Sequence, residues 1–177
     1  MPKNISEMDL KRARGRLSEW MLGFAEATAE ELGFGWQPTP TAPNTYRGLK
    51  AAFTLSLQDG RPLPVFSENS DPVVFSDPAA NIAYRFVHDC HHVILDYSFS
   101  SKHEFGLARW QMERLREAGF TEKDLEWQLF YADAIGQVHL YALTKKFVSN
   151  QLRFALDCVR HGMEQALALE MNRTSPA

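Results

Sequence analysis

Between residues 5 and 33 the apolar positions repeat at helical spacing. Leu17, Trp20, Met21, Phe24 and Leu32 share one stripe with the small Thr28, and Gly33 and Gly35 suit a helix C-terminus. The next stretch, WQPTPTAPNTYRG, has three prolines and no period, which predicts a loop. In AAFTLSLQDGRPLPVF, residues 51–66, Phe53, Leu55 and Leu57 alternate with more polar or smaller neighbours. With Asp59-Gly60 as a two-residue turn, this reads as a small β-hairpin. Pro62 and Pro64 limit its return strand to a short edge strand.

From residue 77 the period becomes helical again. Asp77-Pro78 opens a helix running to about Tyr97, with proline in the first turn where no amide donor is needed. Ser100 or Ser101 opens the next helix, which ends at Ala118-Gly119. Thr121 and Asp124 have capping-box spacing and open a third, with a stripe of Leu125, Leu129, Ala132, Gly136 and Leu140. A fourth covers roughly 147–171, with Phe147, Leu152, Ala155, Leu156, Val159, Met163 and Leu167 on its stripe. The pattern predicts a mainly α single domain over 1–177: a bundle of about five helices with a small β-hairpin near residues 51–66.

Composition narrows the functional classes. The 177 residues are 45% hydrophobic and 23% charged, a globular balance. Net charge is −3 with the basic residues dispersed, which gives no nucleic-acid footprint. No apolar run approaches the ~18 residues of a membrane span, and the polar N-terminal segment lacks a signal-peptide core. The expected location is cytoplasmic, with peripheral membrane contact as the available route to a bilayer. The two cysteines, Cys90 and Cys158, are too few for a disulfide framework.

The chemistry concentrates in HDCHHVILDYSFSSKHE, residues 88–104, which holds four of the six histidines. On a helix, Arg85, His88, Asp89, His92 and Asp96 fall within an arc of about 100°. Cys90 falls among the apolar residues, and His91 lies off the cluster. Histidines four apart on one helix can share a metal ion. Two histidines with carboxylates suit zinc above all, and also iron(II). A polar helix face is more often just solvated, but five such groups on a covered face need mutual compensation. Glu104 is open to two readings. Ser101-Lys102-His103-Glu104 fits a capping box, whereas a tight 97–100 turn would bring its carboxylate to the histidines. Asp133 borders the buried stripe of the third helix, where a carboxylate needs a partner such as Arg85, a tyrosine or a metal.

His88-Asp89-x-x-His92, eleven residues and then Glu104 resembles the metal motif of the coenzyme Q (ubiquinone) biosynthesis protein 4 family. The aspartate-proline helix start and the YRFVHD context agree, over about residues 75–120. His103 stands where family members carry glycine before the glutamate. The resemblance implies an all-helical fold and a divalent metal, usually zinc, held by His88, Asp89, His92 and Glu104. It also implies a tunnel for an isoprenoid tail and oxidative removal of a ring carboxylate from a quinone precursor.

The reading that follows is a metalloenzyme acting on an apolar or isoprenoid, quinone-like small molecule. Arg85, Asp96 and Asp133 are the candidate catalytic groups, and His91 could orient ligands. The alternatives are a lipid-binding or interaction module with a structural metal, and a phosphohydrolase of the HD type, which the His88-Asp89 dipeptide suggests.

Overall fold

The computed structural model describes residues 4–69, 71 and 73–174. Mainly α with a small two-stranded sheet is the architecture observed. The elements run α1 Glu7–Leu32, β1 Trp36–Thr39, α2 Tyr46–Asp59, β2 Leu63–Phe66, α3 Pro78–Ile94, α4 Ser101–Glu117, α5 Leu125–Tyr131, a π-helical turn Ala132–Gly136, α6 Gln137–Thr144, α7 Gln151–His161 and α8 Met163–Thr174. They gather into two compact units. The first holds residues 4–17, 73–76 and 108–174, and the second holds 18–69, 71 and 77–107.

The small sheet differs from the expected hairpin. Residues 46–59 form a helix, and β2 pairs in parallel with β1, Trp36 opposite Leu63 and Thr39 opposite Phe66. A parallel pair needs a crossover, which α2 supplies. The physical reason lies in spacing and caps. Leu49, Phe53 and Ser56 are buried at i, i+4 and i+7, while Leu55 and Leu57 of the apparent alternation are exposed. The Thr45 side chain accepts from the Gly48 amide at the N-terminus. Gly60, at φ 71°, is a left-handed C-cap donating to the Ser56 carbonyl, so Asp59-Gly60 ends a helix instead of turning a hairpin.

The second unit has an aromatic core. Phe86 of α3 is fully buried, stacked on Trp36 at 4.7 Å and edge-on to Phe34 at 6.3 Å. Phe34 in turn meets Phe53 at 5.4 Å. Leu63 and Val65 bury the inward face of β2 at alternate positions. Helix α3 therefore lies fixed along the sheet by its apolar side, which leaves His88 and His92 on a different sector.

In the first unit the long expected helices are interrupted. The third splits at the π-turn, where a Cβ on Gly136 would lie 2.8 Å from the Phe154 ring and 3.1 Å from Met163. The fourth splits at Gly162, whose φ of 86° breaks the chain between α7 and α8. Phe147 lies outside both helices and is 76% exposed, contrary to its place on the expected stripe. Asp124 occupies the N-cap position of α5 and accepts from the Thr121 amide and hydroxyl, so the helix starts after the expected capping box.

Glu170, fully buried on α8, accepts from the Ser149 amide at 2.7 Å and hydroxyl at 2.6 Å and pairs with Arg173. Burial pushes its carboxyl up, but the Ser149 and Arg173 hydrogen bonds and the Arg153 charge outweigh this and hold it below the ordinary value. A depressed folded value stabilises the fold above the unfolded value of about 4.3 and loses that contribution as pH falls. Glu170→Gln should lower stability at neutral pH by about 1–3 kcal/mol and make the acid limb of stability against pH shallower. Unfolding titrations between pH 3 and 7 check both effects.

Candidate metal centre

Three side chains of the second unit converge. The ligand atoms of His88, His92 and Glu104 lie within 4.8 Å of one another, and this is the metal-type group of three or more found among the described residues. His92 Nε2 is 2.9 Å from His88 Nε2, and Glu104 places Oε2 3.3 Å from His88 Nε2 and Oε1 3.3 Å from His92 Nε2. Donors about 2.0–2.2 Å from a single ion lie about 3.3–3.6 Å apart in a tetrahedron and about 2.8–3.1 Å apart at right angles. The observed separations fit one divalent ion and do not select between the two geometries.

Each ligand is placed by local structure. Asp77 accepts from the Ala79 amide and starts α3, so positions 88 and 92 fall one turn apart on one face. The helix ends at Ile94, and Asp96 adopts a left-handed φ of 51° that turns the chain back. The Tyr97 carbonyl lies 2.7 Å from His92 Nδ1. A carbonyl only accepts, so Nδ1 carries a proton and Nε2 is left to face His88 and Glu104: a ligand lone pair in the neutral ring, an N–H donor to Glu104 in the protonated one. Ser100 is the N-terminal residue of the α4 turn. Its hydroxyl lies 3.4 Å from the His103 amide and its carbonyl accepts from the Glu104 amide. The capping-box position therefore belongs to His103, and the Glu104 carboxylate turns to the histidines.

The electrostatics follow from this convergence. Burial raises the Glu104 carboxyl, but hydrogen bonds and charge from His88 and His92 prevail and bring it down to about 2. Asp89 is pushed up to about 6 by burial, opposed by His88, His92 and Arg85 and reinforced by Glu104. His92 is fully buried, whereas His88 and Glu104 are each 24% exposed. One side of the group therefore opens toward solvent.

The remaining expected residues take other places. Asp89 stands beside the cluster without joining the group of three. Arg85 donates to the carbonyls of Phe66, Glu68 and Asn69 and lies over the Phe66 ring, which pins the strand exit. Asp96 accepts from the Tyr46 hydroxyl at 2.8 Å. Asp133 belongs to the first unit, where it accepts from Gln137 at 2.5 Å. His91 points away, with Nδ1 2.7 Å from the Val87 carbonyl and its ring against Phe24. Cys90 is buried, and its thiol is pushed up by burial and by Asp89.

Several supporting residues were not singled out from the sequence. Tyr46, in the expected loop, starts α2 and bonds to Asp96; burial and that carboxylate raise its hydroxyl to about 12. Tyr84 lies 5.7 Å from the His88 ring and Phe99 4.9 Å from the His92 ring, an aromatic rim on the cluster. Tyr84 is the tyrosine of the YRFVHD context, whereas the only sequence signal of Phe99 is aromatic character within two turns of the histidines.

Tyr97 is clamped. His103 stacks on it at 5.1 Å and accepts from the Ser98 amide, while a Cβ on Gly106 would lie 2.9 Å from the ring. Gly106→Ala should displace Tyr97 and with it the carbonyl that orients His92. We expect metal affinity to fall by about 10–100-fold with every ligand intact, as measured by competition with a chromophoric chelator.

Compared with known families, curated proteins and solved structures, the chain matches none.

Proposed function

We propose that the chain is a cytosolic metalloprotein in which His88, His92 and Glu104 bind one divalent ion and leave a position for a substrate. The observation that carries this reading is the one-sided exposure of a convergent two-histidine, one-carboxylate group. Structural zinc sites close four protein ligands around the ion, while catalytic ones hold three and keep a position open. Zinc heads the candidates and iron(II) follows, since two histidines and a carboxylate also form the open facial triad of non-haem iron. A bound ion would supply Lewis-acid activation or an activated oxygen ligand.

The chain's own residues orient and shield. Tyr97 fixes the His92 tautomer, and Tyr84 and Phe99 give an apolar approach to the group. That approach suits the apolar or isoprenoid, quinone-like substrate implied by the resemblance to the coenzyme Q biosynthesis protein 4 family. Oxidative decarboxylation of such a ring, in which the carboxylate leaves as carbon dioxide and dioxygen as the oxidant supplies the oxygen that replaces it, is the reaction that resemblance implies. The second reading is a structural metal stapling α3 to α4 in a lipid-binding or interaction module, because the ligands come from both helices. An HD-type phosphohydrolase would need Asp89 and a further histidine as ligands and gains no support from this grouping.

Cobalt(II) substitution separates the first two. With an open position, added azide changes the visible cobalt spectrum saturably. A spectrum indifferent to azide sinks the substrate-position reading and favours the staple.

A further inference from the structure

The chain leaves α6 through an exposed apolar tip in the first unit. Leu143 is 65% exposed, Phe147 is 76% exposed, and Tyr141 is exposed as well. Large apolar side chains scattered singly on a surface need no explanation, but a cluster of them does. Tyr141 and Phe147 stack at 4.9 Å, so the two rings form one surface across the connection from α6 to α7. The backbone holds that surface in place. Lys145 closes α6 in the left-handed conformation, at φ 58°, and donates its amide to the Tyr141 carbonyl. Thr144 donates its hydroxyl to the Leu140 carbonyl and accepts from the Lys146 amide.

Charge selects what covers the tip. No Asp or Glu occurs between Asp133 and Asp157, while Lys145, Lys146 and Arg153 fall inside that stretch. The whole chain carries −3, so this segment runs against the general balance. The Lys145 ammonium lies 5.6 Å from the centre of the Tyr141 ring, and both lysines are exposed. On α8, which packs against α6, Glu170 is fully buried and turned to Ser149 and Arg173. Exposed rings with lysines at their base match a negatively charged lipid surface. The rings enter the headgroup boundary, and the ammonium groups pair with the acidic headgroups. A second copy of the chain fits poorly, because a self-complementary contact through this tip would bring two pairs of lysines together.

We propose that the tip between α6 and α7 docks the protein on an anionic bilayer surface. Leu143 and Phe147 insert at the headgroup boundary, and Lys145 and Lys146 lie against the acidic lipids. Tyr141 backs Phe147 and stays at headgroup level, where an amphipathic ring is favoured. This surface is independent of the metal reading and stands if that reading fails.

The test uses the full chain and sucrose-loaded vesicles of two compositions, phosphatidylcholine alone and phosphatidylcholine with about one-third phosphatidylserine. Cosedimentation should show tighter binding to the acidic vesicles, weakening as salt rises. Phe147→Ala should lower that affinity by at least about tenfold, the scale set by burying such a ring. Replacing both lysines, Lys145→Ala with Lys146→Ala, should lower it roughly 10–30-fold on the acidic vesicles. Leu57→Ala, at an exposed apolar position of α2 in the second unit, should change it by less than about twofold. All these side chains are exposed, so each variant should fold, and circular dichroism verifies it. Absent binding to acidic vesicles, equal binding to both compositions, or binding indifferent to Phe147→Ala or to loss of the lysines overturns the inference. So does a loss with Leu57→Ala as large as with Phe147→Ala. A lipid-free dimer in sedimentation equilibrium that Phe147→Ala dissociates would give the tip to a second copy and overturn it too.

Discussion

His92→Ala should lower divalent-metal affinity by at least about a hundredfold, since even outer supports of a metal ligand are worth 10–100-fold. His92 is the fully buried member of the group, 2.9 Å from His88 Nε2 and 3.3 Å from Glu104 Oε1. Its neighbour provides the control. His91 is also buried, but it faces Phe24 and the Val87 carbonyl. His91→Ala should therefore cost stability and leave metal affinity within about threefold, because a ligand's contribution depends on where its lone pair points. Competition titrations on the two variants measure the contrast. Equal losses would contradict the assignment of the ion to the specific His88/His92 pair.

Phe86→Ala should destabilise the protein by about 3–5 kcal/mol, the range for truncating a fully buried aromatic. Phe86 is 0% exposed and holds two ring contacts, with Trp36 and Phe34. Removing it opens a cavity under the helix that carries both histidines. The corresponding fall in Tm is roughly 6–20 °C for a chain of this size. Phe147→Ala is the counterpart. At 76% exposure it should change stability by less than about 0.5 kcal/mol. Thermal unfolding of the two variants compares a buried ring with an exposed one; similar shifts would contradict the core described for α3.

The contrast between these two phenylalanines also explains what could be read in advance. Helix α3 was legible because its signals are local: Asp77-Pro78 at the start, apolar residues on one side and histidines four apart. The mainly α class followed from the same kind of signal. Residues 51–66 misled because Phe53, Leu55 and Leu57 satisfy a two-residue period while Leu49, Phe53 and Ser56 satisfy a helical one. Burial on one helical face decided between them, and burial is a tertiary property. The parallel pairing of Trp36–Thr39 with Leu63–Phe66 likewise depends on partners distant in sequence.

The candidate centre divides in the same way. His88 and His92 were visible from their spacing, and Glu104 from the eleven-residue gap to it. The separation of Glu104 from its capping role depended on Ser100, which takes the N-terminal turn instead. Asp89 shares the helix face with the histidines, yet only three-dimensional placement keeps it out of the group. Tyr46 reaches Asp96 from fifty residues away, and no period in the chain announces such a contact. Phe147 fits a helical stripe by spacing, but the helix starts after it, at Gln151.

The most direct test of the account is the metal content of the full chain, purified without a metal-affinity tag and dialysed against a weak chelator, by inductively coupled plasma mass spectrometry. The convergence of His88, His92 and Glu104 predicts one divalent ion per chain, lost in Glu104→Ala with the helical circular dichroism retained. A metal-free wild-type chain, or a Glu104→Ala chain that keeps its full complement, would contradict it.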